Sequence, residues 1–288
     1  VPQGIRTAEW SSIQKFCAAL GDVNPLYNDA AGSVGSLYNT LIAPPTFVLS
    51  VRTPDSGAAY EQKDYGLRRF STRASAEWND VIHMGDRLTS DLKVTDVRNG
   101  GKWGDRNTAE VDSAATYRNI LGGELATATG TVTLVPYAMG EPLLEDRDIH
   151  QYSDDEIHQL ENDLEAIPPH RGRVPLYWSR VEVGDKLPNL VKGPLYYNDI
   201  ASWKTAEGKA ISAAVGAVAH QRVMERPGRI TVNPATDWPY FDVEMAYGDV
   251  LAIKALGFKM PVSRGLMRFA LAGQTLTNWM GDQGFLRR

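Results

Sequence analysis

The stretch from Glu124 to Pro136 constrains the fold most, because apolar residues alternate in it with threonines at a period of two. The run before it, around Val111 and Tyr117, alternates in the same way, and Leu121-Gly122-Gly123 separates the two runs. Period-two patterns rich in β-branched residues are typical of strands with one buried face. A short glycine-containing connection between them predicts an antiparallel hairpin.

The rest of residues 1–136 fits a unit of helix, loop, helix and then an antiparallel meander of about four strands over 68–136. Apolar residues at three- and four-residue steps predict an amphipathic helix over 7–20 that Gly21 ends. Pro44-Pro45 before an apolar run predicts a second helix start, since a proline loses no hydrogen bond in a first turn. Asn99-Gly100-Gly101-Lys102 predicts a further hairpin turn.

Residues 137–170 are interpreted as an acidic helical linker, and residues 171–288 as a second unit. Ser153-Asp154-Asp155-Glu156 is a capping-box pattern, and apolar residues from Ile157 follow it at helical spacing. A short helix is predicted over 199–206 and a longer one over 261–279. The longer helix is apolar around much of its circumference, so burial on several sides is expected. Because only nine residues follow Trp279, we expect that the strands covering this helix are missing from the sequence, or that another chain supplies them.

Composition excludes several classes of protein. The single cysteine, Cys17, rules out an intrachain disulfide and indicates a reducing compartment, so a cytoplasmic protein is expected. The net charge of −5 shows no basic nucleic-acid footprint, and no apolar run is long enough for a membrane span. No signal peptide is recognised at Val1, and the absent initiator Met suggests part of a longer polypeptide. No grouping of side chains has metal-ligand spacing.

Several segments carry a resemblance to a known family. Phe16-Cys17-Ala18-Ala19-Leu20-Gly21-Asp22-Val23-Asn24-Pro25-Leu26-Tyr27 resembles the hydratase motif of the MaoC-like acyl-CoA hydratases and dehydratases. Ile42-Ala43-Pro44-Pro45-Thr46-Phe47 is similar to the start of that family's hot-dog helix. Gly193-Pro194-Leu195 with Asp199-Ile200, and Trp279-Met280-Gly281-Asp282-Gln283-Gly284-Phe285-Leu286, resemble the second half of tandem acyl dehydratases.

The resemblance implies an α+β double hot-dog fold, in which each unit is a curved antiparallel sheet wrapping a central helix, with the second unit incomplete. It also implies a hydro-lyase that adds water to an enoyl thioester or removes it from a 3-hydroxyacyl thioester. The thioester belongs to coenzyme A or an acyl carrier protein, so no separate cofactor is expected. The expected partners are this substrate and copies of the chain, or another hot-dog chain, in an oligomer.

The family pattern Gly-Asp-x-Asn-Pro-x-His supplies a catalytic Asp and His, and this sequence departs from it at one position. Asp22 and Asn24 stand in place, but Tyr27 replaces the His. Asp22 is the candidate base, or a turn Asp; Asn24 is expected to organise the turn. Tyr27 is the candidate water orienter, or a wall of the acyl tunnel. In the second unit the best match, Gly208–Ala214, has neither acid nor His.

Four further residues are candidates for substrate binding. The backbone N–H of Thr46 or Phe47 is expected to meet the developing oxyanion, because the prolines before them cannot donate. Gly265 begins the longer helix and would allow a thioester to approach, although close packing explains it equally. His220 could replace the missing His, although a structural histidine is more common.

Three functions remain open at this point. The first is the hydro-lyase with Asp22 as base and Tyr27 as orienter. The second is a non-catalytic subunit that holds substrate beside an active partner chain, which the replacement of the motif His favours. The third is a hot-dog thioesterase, in which an acid activates water at the carbonyl.

Overall fold

The computed structural model describes residues 4–57, 67–136, 143, 148, 150–207, 231–232, 237, 239–240 and 262–288. Four long strands form one antiparallel sheet: β1 (Leu67–Trp78), β2 (Leu88–Trp103), β3 (Arg106–Asn119) and β4 (Glu124–Pro136). Their order in the sheet is β1-β4-β3-β2. The four strands predicted over 68–136 are therefore confirmed.

The strands are not a simple meander, as the sequence had suggested, because β1 pairs with β4 instead of β2. The connection over 79–87 is too long for a tight hairpin. Its backbone groups form hydrogen bonds with other segments of the chain. His83 bridges Ile42, and the N–H of Gly85 donates to the carbonyl of Ala8 at 2.9 Å. These bonds hold the connection on the N-terminal segment while it crosses to the far edge of the sheet.

The two predicted hairpin turns have different outcomes. The turn at Leu121-Gly122-Gly123 is confirmed, with Gly122 at a φ of 89° between β3 and β4. The turn predicted at 99–102 is wrong, because β2 continues to Trp103 and the chain reverses at Gly104. The pairing register shifts between Asn99 and Gly101, so the glycines there form an irregularity within the strand. Glycine pairs serve bulges as well as turns, which explains the error.

The predicted first helix is confirmed as α1 (Trp10–Leu20). Its apolar face, with Ile13 and Phe16 fully buried, packs into the core. Gly21 ends it in the left-handed conformation at a φ of 58°, and its N–H closes the last turn on Ala18. The helix begins three residues later than predicted because Thr7 is bridged to Arg87 in an extended conformation.

Short turns follow α1. They are α2 (Pro25–Asn28), α3 (Ala30–Ser33), a 3-10 turn at Pro45–Phe47, α4 (Val48–Val51) and a 3-10 turn at Pro54–Gly57. The helix start predicted at Pro44-Pro45 is confirmed, but the helix is brief because Arg52 is extended and Pro54 follows. The Pro54–Gly57 turn lies directly on the sheet. A Cβ atom at Gly130 of β4 would come 2.7 Å from the backbone N of Asp55.

Beyond the sheet the structure describes three longer helices and a short strand pair. Helix α5 (Asp154–Glu165) has the predicted capping box and no buried residue. Helices α6 (Tyr197–Ala206) and α7 (Gly265–Met280) correspond to the two helices predicted in the second unit. Strands β5 (Thr231–Val232) and β6 (Pro239–Tyr240) pair antiparallel.

Helices α1, α6 and α7 share one hydrophobic core with the sheet. The Phe16 ring lies 5.5 Å from the ring of Phe47 and also 5.5 Å from that of Trp203 in α6, centroid to centroid. The fully buried residues of α7 recur at three- and four-residue steps from Leu266 to Thr277, on a single face. The sequence predicted that α7 is buried on several sides. Among the described residues its buried side chains lie on one face, so that prediction is confirmed only in part. The division into 1–136, 137–170 and 171–288 stays a prediction.

Candidate functional site at the end of the first helix

The turn after α1 is held by its own side chains. Asp22 Oδ1 accepts from the backbone N–H of Asn24, and Asn24 Oδ1 accepts from that of Leu26, each at 3.0 Å. The Asn28 side-chain amide donates to the carbonyls of Asp22 and Asn24 at 2.9 and 3.0 Å. Asn24 thereby caps α2, whose first residue is Pro25. This agrees with the expectation that Asn24 organises the turn.

Asp22 is a buried carboxylate with a basic neighbour. Its residue is 5% exposed, and burial raises the pKa of the carboxyl above its usual range, while the Asn24 N–H, Lys192 and His170 act in the opposite direction. Lys192 Nζ donates to the carbonyls of Leu20 and Gly21 at 2.7 and 2.9 Å, so it caps the C-terminus of α1. A buried carboxylate with a raised pKa is the type of group that serves as a general base.

Tyr27 lies beside Asp22 and contacts α7. It is 3% exposed, and burial, followed by the charge of Asp22, raises the pKa of its phenol well above the usual range, although a hydrogen bond with the Thr277 side chain opposes the shift. The phenol is therefore neutral at physiological pH. The Tyr27 phenol can donate a hydrogen bond. At neutral pH, however, it gives up its proton far less readily than a histidine would.

Tyr27 forms part of the wall of a cleft whose lining is mainly apolar. The cleft lies between the 26–48 segment, the 78–82 connection and the residues that follow α7. Its polar lining is sparse. The lining residues are Leu26, Tyr27, Tyr38, Ile42, Ala43, Pro45, Val48, Trp78, Asp80, Val81, Ile82, Leu125, Met280, Gly281, Gly284, Phe285 and Leu286. Asp22 is not among them, so the part of the motif that lines the cleft is Leu26 and Tyr27.

The expected oxyanion donors at Thr46 and Phe47 do not both fit. The Phe47 N–H already donates to the Pro44 carbonyl at 2.9 Å, which corrects the expectation for that residue. The Phe47 side chain is fully buried against Phe16 and serves the core. Thr46 packs its methyl group against Gly273 of α7, where an added Cβ would come within 2.7 Å.

The remaining two candidates do not join this site in the described part of the chain. A Cβ atom at Gly265 would lie 2.8 Å from the Ser71 carbonyl of β1, so the glycine permits close packing of α7 on the sheet. This favours the packing interpretation of Gly265 over thioester approach. His220 and the segment 208–214 lie outside the described residues, so their roles stay predictions.

The sequence reasoning missed the neighbours of Asp22 and a second buried acid. Lys192 and Thr277 reach the site from segments far along the chain, and no local pattern marks them. Glu207, 1% exposed, ends α6 and accepts from Trp203 Nε1 at 2.8 Å and from Arg264 Nε at 3.0 Å. The sequence offered one signal for Glu207, namely its position directly before Gly208. The best match to the family motif in the second unit begins at that glycine.

The described residues contain neither a candidate metal site nor a candidate membrane span. In the segments that the structure describes, no three His, Cys, Asp or Glu side chains are grouped so as to hold a metal ion. None of the helices in those same segments has the length and hydropathy needed to cross a membrane.

Comparisons with known proteins identify the family. A family model described as the FAS1-like dehydratase domain region matches residues 6–119. A UPF0336 protein of Cutibacterium acnes is 30% identical over 129 residues, which are 44% of this chain and 80% of that protein. A UPF0336 protein of Streptomyces coelicolor is 35% identical over 80 residues, so the chain spans only 53% of that relative.

The fold has a solved counterpart. A structure titled MaoC-like dehydratase superposes with a TM-score of 0.61 at 17% identity, and covers 96% of this chain and 76% of that one. This likeness spans both halves and shows the α+β hot-dog fold that the sequence predicted. The chain therefore belongs to the MaoC-like hot-dog family of dehydratases and hydratases.

Proposed function

We propose that this chain is a hydro-lyase that adds water to an enoyl thioester, or removes it from a 3-hydroxyacyl thioester, of coenzyme A or an acyl carrier protein. The observation that carries the proposal is the buried Asp22 carboxylate, with its raised pKa, in the same motif turn as Tyr27, which lines the apolar cleft. An apolar cleft with a few polar groups suits an acyl chain. The coenzyme or carrier is part of the substrate, and no separate cofactor is proposed.

The proposed hydration step uses Asp22 as general base. Asp22 takes a proton from water as the water oxygen bonds to C3, and the C2–C3 π electrons move through C1 to the thioester oxygen. The electrons then return as C2 takes the proton from Asp22, which restores the carboxylate and completes the 3-hydroxyacyl thioester. Tyr27 contributes a hydrogen bond from its neutral phenol, and the Thr46 N–H remains the candidate donor to the thioester oxygen.

A second candidate is a substrate-holding subunit that works beside a catalytic hot-dog chain. It is favoured by one specific observation, namely that Asp22 does not line the cleft whereas Tyr27 does. In that case the cleft binds the acyl group and the partner supplies the acid and base. Assembly with copies of itself or with another hot-dog chain, and a cytoplasmic location, belong to either proposal.

The deciding experiment is a hydration assay on the purified full chain with a panel of enoyl-CoA thioesters, followed by loss of the enone absorbance. The comparison is between wild type and Asp22→Asn. Asp29→Asn is the matched control, because Asp29 is an exposed Asp that caps α3 through a similar backbone bond. Turnover lost only in Asp22→Asn supports the hydro-lyase.

Other outcomes separate the alternatives. Binding of a saturated acyl-CoA without turnover, and activity only after a partner chain is added, would replace the hydro-lyase with the holding subunit. Release of free coenzyme A would instead indicate a thioesterase.

A further inference from the structure

Three side-chain oxygens on α7 and the turn after it are buried without a partner. They are Gln274 Oε1, Asn278 Oδ1 and Asp282 Oδ1, and none has a hydrogen bond within the described ranges. A buried oxygen without a hydrogen bond destabilises the folded chain, so three in one neighbourhood require an explanation. All three are acceptors, so a partner must bring O–H or N–H groups or be a cation, and these described segments hold no group of acids suited to a metal ion.

These oxygens lie along the side of α7 that meets the candidate site. Residues 274, 277 and 278 share a helix face because they are three and four positions apart. Gln274 Nε2 donates to the Gly21 carbonyl at 3.4 Å, and the Thr277 side chain lowers the pKa of Tyr27 against the effect of burial. The charge of Asp282 also acts on Tyr27. The polar side of α7 therefore runs past the turn from Gly21 to Tyr27.

The backbone around the three residues is held by hydrogen bonds to the 170–172 segment. The Arg171 N–H donates to the Asn278 carbonyl at 2.9 Å, and the Asp282 N–H donates to the Gly172 carbonyl at 2.8 Å. A Cβ atom at Gly281 would come 2.7 Å from the Gly172 carbonyl. The 170–172 segment is thus packed tightly against the end of α7.

We propose that Gln274, Asn278 and Asp282 bind a short row of water molecules between α7 and the Gly21–Tyr27 turn, and that Asp22 draws its reacting water from this row. Residues four apart on a helix are separated by about 6 Å along its axis, so one water cannot serve all three. Buried waters typically satisfy such groups with two to four hydrogen bonds each. The second half of the proposal rests on the proposed hydro-lyase function.

Kinetics of two variants test the role of the row. Gln274→Met removes an acceptor at similar volume, Asp282→Asn removes the charge, and Gln283→Met is the matched control at an exposed neighbour. Both site variants are expected to lower kcat by at least about tenfold, because water misplaced by 1 Å costs up to about 100-fold. The KM and the Kd for a saturated acyl-CoA should stay unchanged, a split that a general loss of structure would not produce.

The outcomes distinguish this inference from the proposed function. If Asp22→Asn is inactive while Gln274→Met and Asp282→Asn keep the wild-type kcat, the water row is overturned as the source of the reacting water and the hydro-lyase stands. If the wild type has no turnover at all, the proposed function fails, and the reacting-water half of the inference fails with it.

The water-binding half is tested without activity, by a high-resolution crystal structure of the full chain. Ordered water within about 3.2 Å of at least two of the three oxygens supports it. A dry site, direct side-chain partners, or stabilisation by added Mg²⁺ or Ca²⁺ with a cation bound to these oxygens would overturn it.

Discussion

Helices α1 and α6 are each followed by a buried acid, but the two acids are in opposite situations. Both pack in one core through Phe16 and Trp203, and each is followed within two residues by a buried carboxylate, Asp22 after α1 and Glu207 after α6. Glu207 is paired with Arg264, with both oxygens at 3.0 Å from guanidinium nitrogens. In the described chain Asp22 accepts only the Asn24 N–H, and Lys192 bonds backbone carbonyls close by.

The difference teaches that burial alone does not decide what an acid does. A buried carboxylate held by an arginine, here through one hydrogen bond and one close ion contact, is a structural link between the end of α6 and the start of α7. A buried carboxylate without such a partner is destabilised in its charged form and gains proton affinity. The comparison therefore supports the proposed role of Asp22 as a base and gives Glu207 a structural role.

Replacing Asp22 should give the largest effect on activity. We expect Asp22→Asn to reduce hydration by about 10²–10⁴-fold, the usual contribution of a general base. Glu207→Gln should retain turnover in whatever fraction stays folded. Equal losses of specific activity in the two variants, measured on folded protein, would remove the distinction between the acids.

The stability of Asp22→Asn should also depend on pH. Burial raises the folded pKa of Asp22, so its ionised form costs stability once the pH passes the unfolded value. The variant should therefore unfold at a higher temperature than wild type above the folded pKa. This gain should vanish as the pH falls below about 4. A gain independent of pH from 4 to 8, seen in thermal melts, would contradict the raised pKa.

Removing Arg264 should have the largest effect on stability. Arg264→Met takes the guanidinium away from the buried Glu207 carboxylate, which we expect to cost about 3–5 kcal/mol in the free energy of unfolding. Adding Glu207→Gln should restore most of it, because the amide still accepts from Trp203. Denaturant unfolding measures both values, and a single variant within about 1 kcal/mol of wild type would show that the pair is not structural.

Replacing Lys192 should shift the pKa of Asp22, with a smaller effect on activity than replacing Asp22 itself. Lys192→Met removes a cation that favours the ionised carboxylate, so the pKa of Asp22 should rise further and the acidic limb of kcat/KM should move to higher pH. Loss of the cap on α1 should cost about 1–2 kcal/mol. Lys192→Arg is the control that keeps the charge. An unmoved acidic limb in the Met variant would show that Lys192 has only a capping role.

The contact between the two helices should give the smallest effect. A double-mutant cycle with Phe16→Leu and Trp203→Leu should return a coupling of about 0.5–1.5 kcal/mol, as for other aromatic pairs. Additive losses would mean that α1 and α6 are stabilised independently.

Local sequence patterns predicted most of the helices and strands in the first half of the chain. Period-two alternation predicted the strands, and the capping box at Ser153 and the glycine after Leu20 predicted helix ends, because each reflects interactions within a few residues. The 99–102 turn and the strand order failed, since a glycine pair fits both a turn and an irregular strand. Pairing of β1 with β4 depends on contacts about sixty residues apart.

The sequence by itself determined the hot-dog fold, the α1–Asp22–Asn24–Tyr27 motif and the order of its residues, since the motif folds through bonds within seven positions. Only the tertiary structure decided what surrounds that motif. It brought Lys192 and the polar side of α7 to the turn that holds Asp22, and it made Tyr27, but not Asp22, part of the cleft wall. It also paired Glu207 with Arg264. These relations join segments up to 253 positions apart, and packing rather than local propensity selects them.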